Sequence, residues 1–377
     1  MSQLELIATA SFGLEAVVAR ELKQLGYEDQ TVEDGRVTFV ADEAAVCRAN
    51  LWLRSADRVL LKLGEFEARD FGTLFDRTND LPWADWLPEN AEFPVRGKSV
   101  RSQLTSVPDC QSIVKKAIVE KLKQQYKREW FDENGPKCAI EVSLLKDRAT
   151  LTLDTTGPGL HKRGYRTLSG AAPLKETLAA GLVQLSFWNR ERPLIDPFCG
   201  TGTIPIEAAL IGRNIAPGLH REFAAEQWPR IPKQLWTEAR SEAHDLATGE
   251  LAVPILATDI DSEVLSLARY HAKQAGVEND IHFQQKPFSE LTTKKKFGCV
   301  ICNPPYGERM GEEQEAVAIY REMGNVFSPL ETWSLYVLAS NSQFEKLIGR
   351  KADRRRKLYN GRIECTYYQF YGPPPPR

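Results

Sequence analysis

A short polar loop directly after an apolar run is the first stretch of this sequence that could carry chemistry. Residues 297–302 predict a buried strand, and two prolines follow almost at once. Because proline lacks an N–H group and fixes its own φ, the chain must leave the sheet in a rigid turn. The turn offers acceptors and a ring beyond a strand's carboxyl end, which favours a planar heterocycle carrying an NH2 group, although it could simply close a core strand. Its residues are Asn303, Pro304, Pro305 and Tyr306.

A glycine turn between a predicted strand, residues 193–196, and a predicted helix is the second such stretch. Glycines let the backbone approach a ligand, and a helix start offers free N–H groups to an anion. The turn lacks the third glycine of the dinucleotide fingerprint and the lysine of the phosphate-binding loop, so it supports neither NAD nor ATP. An acid before the glycines instead suits a ligand with a cationic part, such as S-adenosylmethionine. The residues are Asp196, Pro197, Phe198, Cys199, Gly200, Thr201, Gly202 and Thr203.

Two carboxylates follow the next predicted strand, residues 253–257. Asp259 stands at the end of that strand, where a carboxylate can bind ribose hydroxyls. Ile260 separates it from Asp261, which is more simply the N-cap of a predicted helix over 263–275.

Length, charge and composition limit the classes of protein to which this chain can belong. A chain of 377 residues predicts two or three domains, and a net charge of −2 restricts any nucleic-acid surface to a local patch. No apolar run reaches the length of a membrane span and no signal peptide is visible, so we expect a cytoplasmic protein. Cys299 and Cys302 form a C-x-x-C without a second pair; we expect buried, reduced thiols and no metal site.

The N-terminal half alternates short strands and helices. We predict a strand over 4–10, a helix over 14–25, a hairpin around Asp34-Gly35 and a helix over 43–52. A second small α/β unit spans about 65–157, with an amphipathic helix over 110–126 whose polar side is rich in lysine. Lys115 and Lys116 on this side are either solvated surface or part of an RNA-binding patch.

Two further segments are rich in cations. One is a linker that holds Lys162, Arg163 and Arg166 around Gly164 and Tyr165, and it is either a solvated hinge or a contact for phosphate and bases. The other is the block 350–357, the densest positive patch of the chain, for which a polyphosphate backbone is the natural partner and a solvated surface run the alternative. From this block we predict RNA contacts at Arg354, Arg355, Arg356 and Lys357.

Taken together, the turns at 196–202 and 303–307 resemble those of class I S-adenosylmethionine-dependent methyltransferases that modify amino groups. Their order and their spacing of about a hundred residues are more specific than either turn alone. The N-terminal half resembles a ferredoxin-like piece followed by a THUMP RNA-binding domain. With strings such as 161–166, 173–180, 216–219 and 357–365, nearly the whole chain is similar to RlmL-type 23S rRNA guanine-N2 methyltransferases.

This resemblance implies an α/β fold with a C-terminal Rossmann-like methyltransferase sheet and N-terminal α+β ferredoxin-like and THUMP domains. The implied boundaries are 1–44 for the ferredoxin-like part, 45–156 for the THUMP domain, 157–169 for a linker and 170–377 for the methyltransferase domain. It also implies S-adenosylmethionine as cofactor, Phe288 and Ile260 among its contacts, and catalysis by Asn303 to Tyr306 on a base extruded from RNA.

The chain departs from the family pattern at two positions. The family commonly has an aspartate after the third strand, where this chain has Pro287, and often an asparagine where this chain has His271. Three other functions stay open: a tRNA guanine-N2 methyltransferase, an adenine-N6 DNA methyltransferase, and a non-enzymatic RNA-binding assembly factor.

Overall fold

The computed structural model describes residues 3–168, 174–307 and 312–376. The chain divides into two compact units. One comprises Met1–Ala10, Ala19–Leu160 and Arg221–Glu242; the other comprises Ser11–Val18, His161–His220 and Ala243–Arg377. The predicted boundary between residues 169 and 170 lies outside the described residues.

The first unit is built on a seven-stranded sheet. Its strands are β1 (Leu4–Ala10), β2 (Gln30–Glu33), β3 (Arg36–Ala41), β4 (Ala56–Glu67), β5 (Val95–Val100), β6 (Ile140–Leu145) and β7 (Arg148–Asp154). They lie in the order β2-β3-β1-β4-β7-β6-β5, and only β5 and β6 pair in parallel. The helices between β1 and β6 along the chain are α1 (Glu15–Gln24), α2 (Glu43–Trp52), α3 (Phe71–Asn79) and α4 (Val107–Tyr126).

Local signals explain several of these elements. Gly35 in the β2–β3 turn has a φ of +76°, a conformation that glycine adopts without strain. The side chain of Asp42 caps α2 by accepting from the Ala45 backbone N–H at 3.1 Å, and the helix spans the predicted residues. Helix α4 begins three residues before the predicted start, because Ser106 caps it and Pro108 fits its first turn.

Residues 221–242 form part of the first unit, although they follow the start of the methyltransferase region in sequence. The Ala225 N–H donates to the Thr155 carbonyl at 3.0 Å, and the Trp228 indole donates to the Lys137 carbonyl at 3.0 Å. Trp236 stacks on Phe223 with ring centroids 5.4 Å apart. This stretch ends in helix α7 (Lys233–Asp245), and its tryptophans are buried.

The second unit is built on another seven-stranded sheet. Its strands are β8 (Leu194–Asp196), β9 (Ile255–Asp259), β10 (Ile281–Gln285), β11 (Cys299–Cys302), β12 (Ser334–Ala339), β13 (Arg354–Asn360) and β14 (Ile363–Phe370). They lie in the order β10-β9-β8-β11-β12-β14-β13, with parallel pairing from β10 to β12 and antiparallel pairing of β14 with both neighbours. The predicted Rossmann-like sheet is thus confirmed, and it ends in a C-terminal hairpin whose first strand was not predicted from the sequence.

Strand order explains where a ligand site can form in this sheet. The chain runs outward from β8 to β10 on one side and from β11 to β12 on the other, so the loops after β8 and β11 meet at a switch point. The helices of this region are α5 (Glu176–Gln184), α6 (Thr203–Gly212), α8 (Ser262–Gln274), α9 (Glu312–Phe327) and α10 (Phe344–Ile348). No helix in the described ranges has both the length and the apolar character needed to cross a bilayer.

The C-x-x-C pair lies inside the sheet on β11. Both thiols are buried and free, as expected, and burial raises the pKa of Cys299 to about 12. Within the described ranges, no three or more His, Cys, Asp or Glu side chains are grouped so that they could hold a metal ion.

Candidate active site

The carboxyl ends of β8, β9, β10 and β11 surround a cavity of about 1070 Å³ in the second unit. Helix α9 and the β13–β14 turn complete its wall. The cavity therefore brings together predicted residues from four separate loops. Those that line it are Pro197, Phe198, Asp259, Ile260, Asp261, Phe288, Asn303, Pro304, Pro305 and Tyr306.

The other predicted cofactor residues do not line this cavity. They are Asp196, Cys199, Gly200, Thr201, Gly202 and Thr203, which form the end of β8 and the glycine turn into α6. Gly200 and Gly202 have φ values of +51° and +84°. A Cβ atom at Gly202 would lie 3.1 Å from Cβ of Ala268, so this turn needs glycine for both its conformation and its packing.

Three side chains from outside the glycine turn hold it in place. Oδ2 of Asp259 accepts from the Gly200 N–H at 2.9 Å, and Nδ1 of His271 lies 3.2 Å from the Thr201 carbonyl oxygen. The Arg166 guanidinium donates to Oγ1 of Thr203. His271, one of the two residues that differ from the family pattern, is buried against the turn.

Asp196 is a buried acid at the end of β8. It is 1% exposed, and Oδ1 accepts from the Phe198 N–H at 3.1 Å. Burial raises its pKa well above the ordinary value of 3.8, and the neighbouring charge of Asp259 raises it further. A cationic ligand nearby would favour the ionised form, which fits the sulfonium and ammonium groups of S-adenosylmethionine.

Apolar side chains give the cavity a surface for a flat ring. The rings of Phe198 and Phe288 lie 4.8 Å apart at an interplanar angle of 38°. Ile260 is 69% exposed although it is a large apolar residue, and a ligand in the cavity would cover it. Pro287 also lines the wall and offers no side-chain acceptor there; the side-chain oxygen of Ser289 lies two residues further on.

A chain of hydrogen bonds holds the loop after β11. The Tyr306 hydroxyl donates to Oδ1 of Asn303, and Nδ2 of Asn360 donates to the Tyr306 oxygen at 3.4 Å. The Tyr320 hydroxyl donates to the Pro305 carbonyl at 2.8 Å. Burial raises the pKa of Tyr306, so its hydroxyl keeps the proton that it donates.

The acceptors of this loop keep capacity for a ligand. An amide oxygen has two lone pairs, so Oδ1 of Asn303 can accept a second hydrogen bond beside that from Tyr306. No described residue donates to the Pro304 carbonyl. Tyr306 lines the large cavity and also a smaller polar one of about 470 Å³. The loop can thus orient an NH2 group next to an aromatic ring.

Two of the residues predicted to contact RNA have other partners. Arg163 is 3% exposed and pairs with the buried carboxylate of Glu207 at 3.2 Å. Arg166 pairs with Glu176 at 3.2 Å besides holding Thr203. The structure does not support an RNA contact for either, because their charges are compensated inside the unit. Lys162, which directly precedes Arg163, is exposed.

The remaining predicted RNA contacts lie nearer the surface. Lys115 donates to Glu133 and lies 3.6 Å from the Phe93 ring centroid, whereas Lys116 is exposed. The four cations of the C-terminal block lie on the edge strand β13. Arg355 pairs with Glu345, Arg356 donates to the Gly13 carbonyl at 2.8 Å, Lys357 pairs with Glu364 at 2.7 Å, and Arg354 is exposed.

Several residues that line the cavity were not predicted from the sequence. They are Lys175, Ser289, Ile319, Glu322, Asn360, Gly361, Arg362 and Ile363. Gly361, which suits the first central position of a two-residue hairpin turn, is a signal that could have revealed the β13–β14 turn. The residues of α9 had no such signal, since nothing local indicates which strand loop a helix will face.

Three segments match known domain families. Residues 163–369 match the family UPF0020, described as an RMKL-like methyltransferase domain. Residues 5–60 match the RlmL ferredoxin-like domain, and residues 68–154 match the THUMP domain. The resemblance drawn from the motifs is confirmed by these matches.

Two curated relatives resemble the chain over nearly its whole length. "Putative RNA methyltransferase YpsC" of Bacillus subtilis is 52% identical over 373 residues, 98% of this chain and 97% of that protein. "Ribosomal RNA large subunit methyltransferase K/L" of Photobacterium profundum is 35% identical over 370 residues, 96% of this chain but 52% of that protein. The chain thus spans about half the length of the second relative.

Two solved structures share the complete fold. A "predicted N6-adenine-specific DNA methylase" from Listeria monocytogenes superposes with a TM-score of 0.95 at 51% identity, covering 99% of this chain and 97% of that one. The structure of SMU.472, a "putative methyltransferase complexed with SAH", has a TM-score of 0.95 at 45% identity and full coverage of both chains. With these matches and the cavity beside the glycine turn, the chain belongs to the RMKL-like family of S-adenosylmethionine-dependent RNA methyltransferases with RlmL ferredoxin-like and THUMP domains.

Proposed function

We propose that this protein transfers a methyl group from S-adenosylmethionine to the exocyclic N2 of a guanosine in 23S rRNA. The observation that carries the proposal is that Asn303 and Pro304 line one cavity together with Phe198, Ile260 and further predicted cofactor contacts. A methyl donor and an amine acceptor can meet there without a further binding site.

The cofactor supplies an electrophilic methyl group, and the residues of the chain must orient the attacking nitrogen. The lone pair of guanine N2 is delocalised into the ring, so this nitrogen is a weak nucleophile. Hydrogen bonds from the NH2 group to Oδ1 of Asn303 and to the Pro304 carbonyl would favour a pyramidal nitrogen aimed at the methyl group. The O–H of Tyr306 fixes which side of the Asn303 amide presents oxygen. No strong base is required, because the proton can leave after the transfer.

The target base must leave its stack to reach this cavity. We expect the ring of Tyr306 to stack on the extruded base, since it lines the cavity beside Asn303. The THUMP domain and exposed cations such as Lys116, Lys162 and Arg354 would bind the RNA backbone. An rRNA substrate implies action in the cytoplasm.

Methylation of separated nucleic acids tests the substrate. Purified protein and isotopically labelled cofactor are incubated with 23S rRNA, with pooled tRNA and with duplex DNA that lack the modification. The products are nuclease-digested and identified by mass spectrometry. We expect N2-methylguanosine from 23S rRNA alone. Label found only in tRNA, or only as N6-methyladenine in DNA, would replace the proposed substrate by that one.

A substitution tests the role of the loop after β11. Asn303→Ala should retain cofactor affinity and lose methyl transfer by about 100-fold or more, the effect of removing one oriented transition-state contact. The matched control is Asn279→Ala, an exposed asparagine that donates to Glu250 at 2.8 Å and does not line the cavity. Equal activity of Asn303→Ala and the control would contradict the assignment. Failure of both variants to bind cofactor would indicate misfolding, and a milder Asn303→Asp exchange would then carry the test.

A further inference from the structure

The turn between β13 and β14 presents an arginine to the cavity on a rigid support. Asn360 and Ile363 pair across the hairpin, which leaves Gly361 and Arg362 as a two-residue connection. Gly361 has a φ of +64° and Arg362 a negative φ, the combination of a type II′ turn. Such a connection has little freedom, so the backbone of Arg362 is well positioned before any ligand arrives.

This turn is linked to the catalytic loop. Nδ2 of Asn360 donates to the Tyr306 oxygen, and the Tyr306 hydroxyl donates to Asn303. Arg362 lines the same cavity as these three residues. Arg362 and the residues whose acceptors would hold the target NH2 group therefore line one cavity.

Arg362 forms no ion pair with a described acid, although Asp259, Asp261 and Glu322 also line the cavity. Its side chain is exposed, and no described acid lies within ion-pair distance. By contrast, Arg355 on the same hairpin pairs with Glu345, and Lys357 pairs with Glu364. Unlike Arg355 and Lys357, Arg362 thus keeps the five N–H donors of its guanidinium for a ligand.

A guanine held by N2 has a distinctive far edge. Its O6 and N7 are adjacent acceptors on the opposite side of the ring from N2, and arginine recognises this pair with two parallel hydrogen bonds. An adenine held by N6 would offer no such pair of adjacent acceptors on its far side. A guanidinium in the wall of the same cavity can therefore separate the two purines that an Asn-Pro-Pro-Tyr loop could hold.

We propose that Arg362 is a specificity-determining residue that donates to O6 and N7 of the target guanine while Asn303 and Pro304 hold N2. The inference rests on the proposed guanine-N2 activity and adds the element that selects guanine. The same guanidinium could instead bind a phosphate of the RNA backbone, and the experiment separates these two sources of acceptor oxygen.

The test uses full-length protein and a synthetic RNA that contains the mapped target, with guanosine or 2,6-diaminopurine riboside at the methylated position. Diaminopurine keeps the 2-amino group but replaces O6 with a second amino group, which is a donor. The wild-type protein should prefer guanosine in kcat/KM by about 5- to 150-fold, the discrimination of one bidentate pair. Arg362→Gln should lose activity on guanosine, and its preference should fall to about twofold or less.

Two further variants keep the outcome interpretable. Arg362→Lys preserves the charge without the planar fork, so it should restore little of the preference. Arg354→Gln removes an arginine of the same hairpin that does not line the cavity, and its preference should equal that of the wild type. Cofactor affinity and the unfolding midpoint of each variant report whether the fold is intact.

Two results would overturn the inference. One is a wild-type guanosine preference retained in Arg362→Gln. The other is an equal loss on both RNAs that lysine restores, which would assign Arg362 to a backbone phosphate. Either result leaves N2-methylguanosine as the product, so the proposed activity would stand. If the wild-type protein forms no N2-methylated product on either RNA, the proposed activity itself fails.

Discussion

Arg163, in the segment 161–166, and Arg354, on strand β13, have opposite surroundings within the same unit. Arg163 is 3% exposed and its partner Glu207 is fully buried, whereas Arg354 is exposed to solvent. Water and salt screen a charge on β13 but do not reach the Arg163–Glu207 pair. Arginines that look alike in sequence therefore have different tasks: Arg163 and Arg166 support the site, and Arg354 remains accessible to a polyanion.

The difference arises from partners that are distant in sequence. Glu207 on α6 lies 44 positions after Arg163 and also accepts from the Tyr165 hydroxyl at 3.1 Å. The Arg166 guanidinium pairs with Glu176 and also donates to Thr203, the first residue of α6. The segment that holds Arg163 and Arg166, at the start of the matched methyltransferase domain, thus helps to support the glycine turn.

The largest expected effect is on stability, from removing the buried cation. Arg163→Met would leave Glu207 without its main counter-charge in the interior, which costs about 3–5 kcal/mol of the free energy of unfolding. Urea unfolding followed by tryptophan fluorescence measures it. The matched exchange Arg354→Met on β13 should change the free energy of unfolding by about 0.5 kcal/mol or less.

A double variant makes this result specific to the pair. Arg163→Met combined with Glu207→Leu should regain most of the lost stability, because apolar replacement of both partners avoids an uncompensated charge. Equal stability of Arg163→Met and Arg354→Met would mean that the two arginines do not differ as their burial indicates.

The second-largest effect concerns Asp196, whose environment is also buried. Asp196→Asn should weaken cofactor binding by about 2–5 kcal/mol, since the buried counter-charge for a cationic ligand is lost. The wild-type affinity should fall as the pH falls through the raised pKa of Asp196, because the protonated acid no longer attracts a cation. The variant should show no such dependence. Calorimetric titration over a range of pH measures both.

The same substitution should stabilise the ligand-free protein. Burial raises the pKa of Asp196 above its ordinary value of 3.8, so the folded state binds more protons than the unfolded state between these two values. Stability contributed by this group is therefore present at low pH and lost as the pH rises through that window. Asparagine does not ionise, so the Asp196→Asn protein avoids this loss of stability. The thermal midpoint of the variant at neutral pH should therefore exceed that of the wild type. A lower midpoint would show that the carboxylate is already compensated without ligand.

The sequence could predict the parts of this site that depend on local rules. The strands before Asp196 and Asn303, the glycine turn and the cap at Asp261 follow from apolar runs, backbone conformation and capping, and the structure has all of them. The surroundings of Arg163, Arg166 and His271 could not be predicted, because burial of a polar side chain depends on tertiary partners. Similarly, β13 was hidden because its four consecutive cations, which an edge strand can carry, resemble a solvated run.

A smaller effect on cofactor affinity is expected at Arg166, which supports the glycine turn but does not line the cavity. Arg166→Gln should weaken cofactor binding about tenfold, since a charge-assisted hydrogen bond to Thr203 and the pairing with Glu176 are lost. Lys162→Gln, four positions earlier and exposed, is the matched control and should leave cofactor affinity unchanged. An unchanged affinity in Arg166→Gln would restrict this residue to a purely structural role and weaken the contrast between the two cationic segments.

The smallest expected effect is on RNA affinity, from substitution of the exposed Arg354. Arg354→Gln should weaken RNA binding a few-fold and lower the slope of log affinity against log salt by about 0.7, the contribution of one single-stranded phosphate. Arg355→Gln should change the slope less, because Glu345 already compensates Arg355. Filter binding at several salt concentrations measures both slopes. If Arg355→Gln lowered the slope more than Arg354→Gln did, RNA would have to displace Glu345 from Arg355. Ion pairs within the free protein would then no longer identify which cations of β13 bind the RNA backbone.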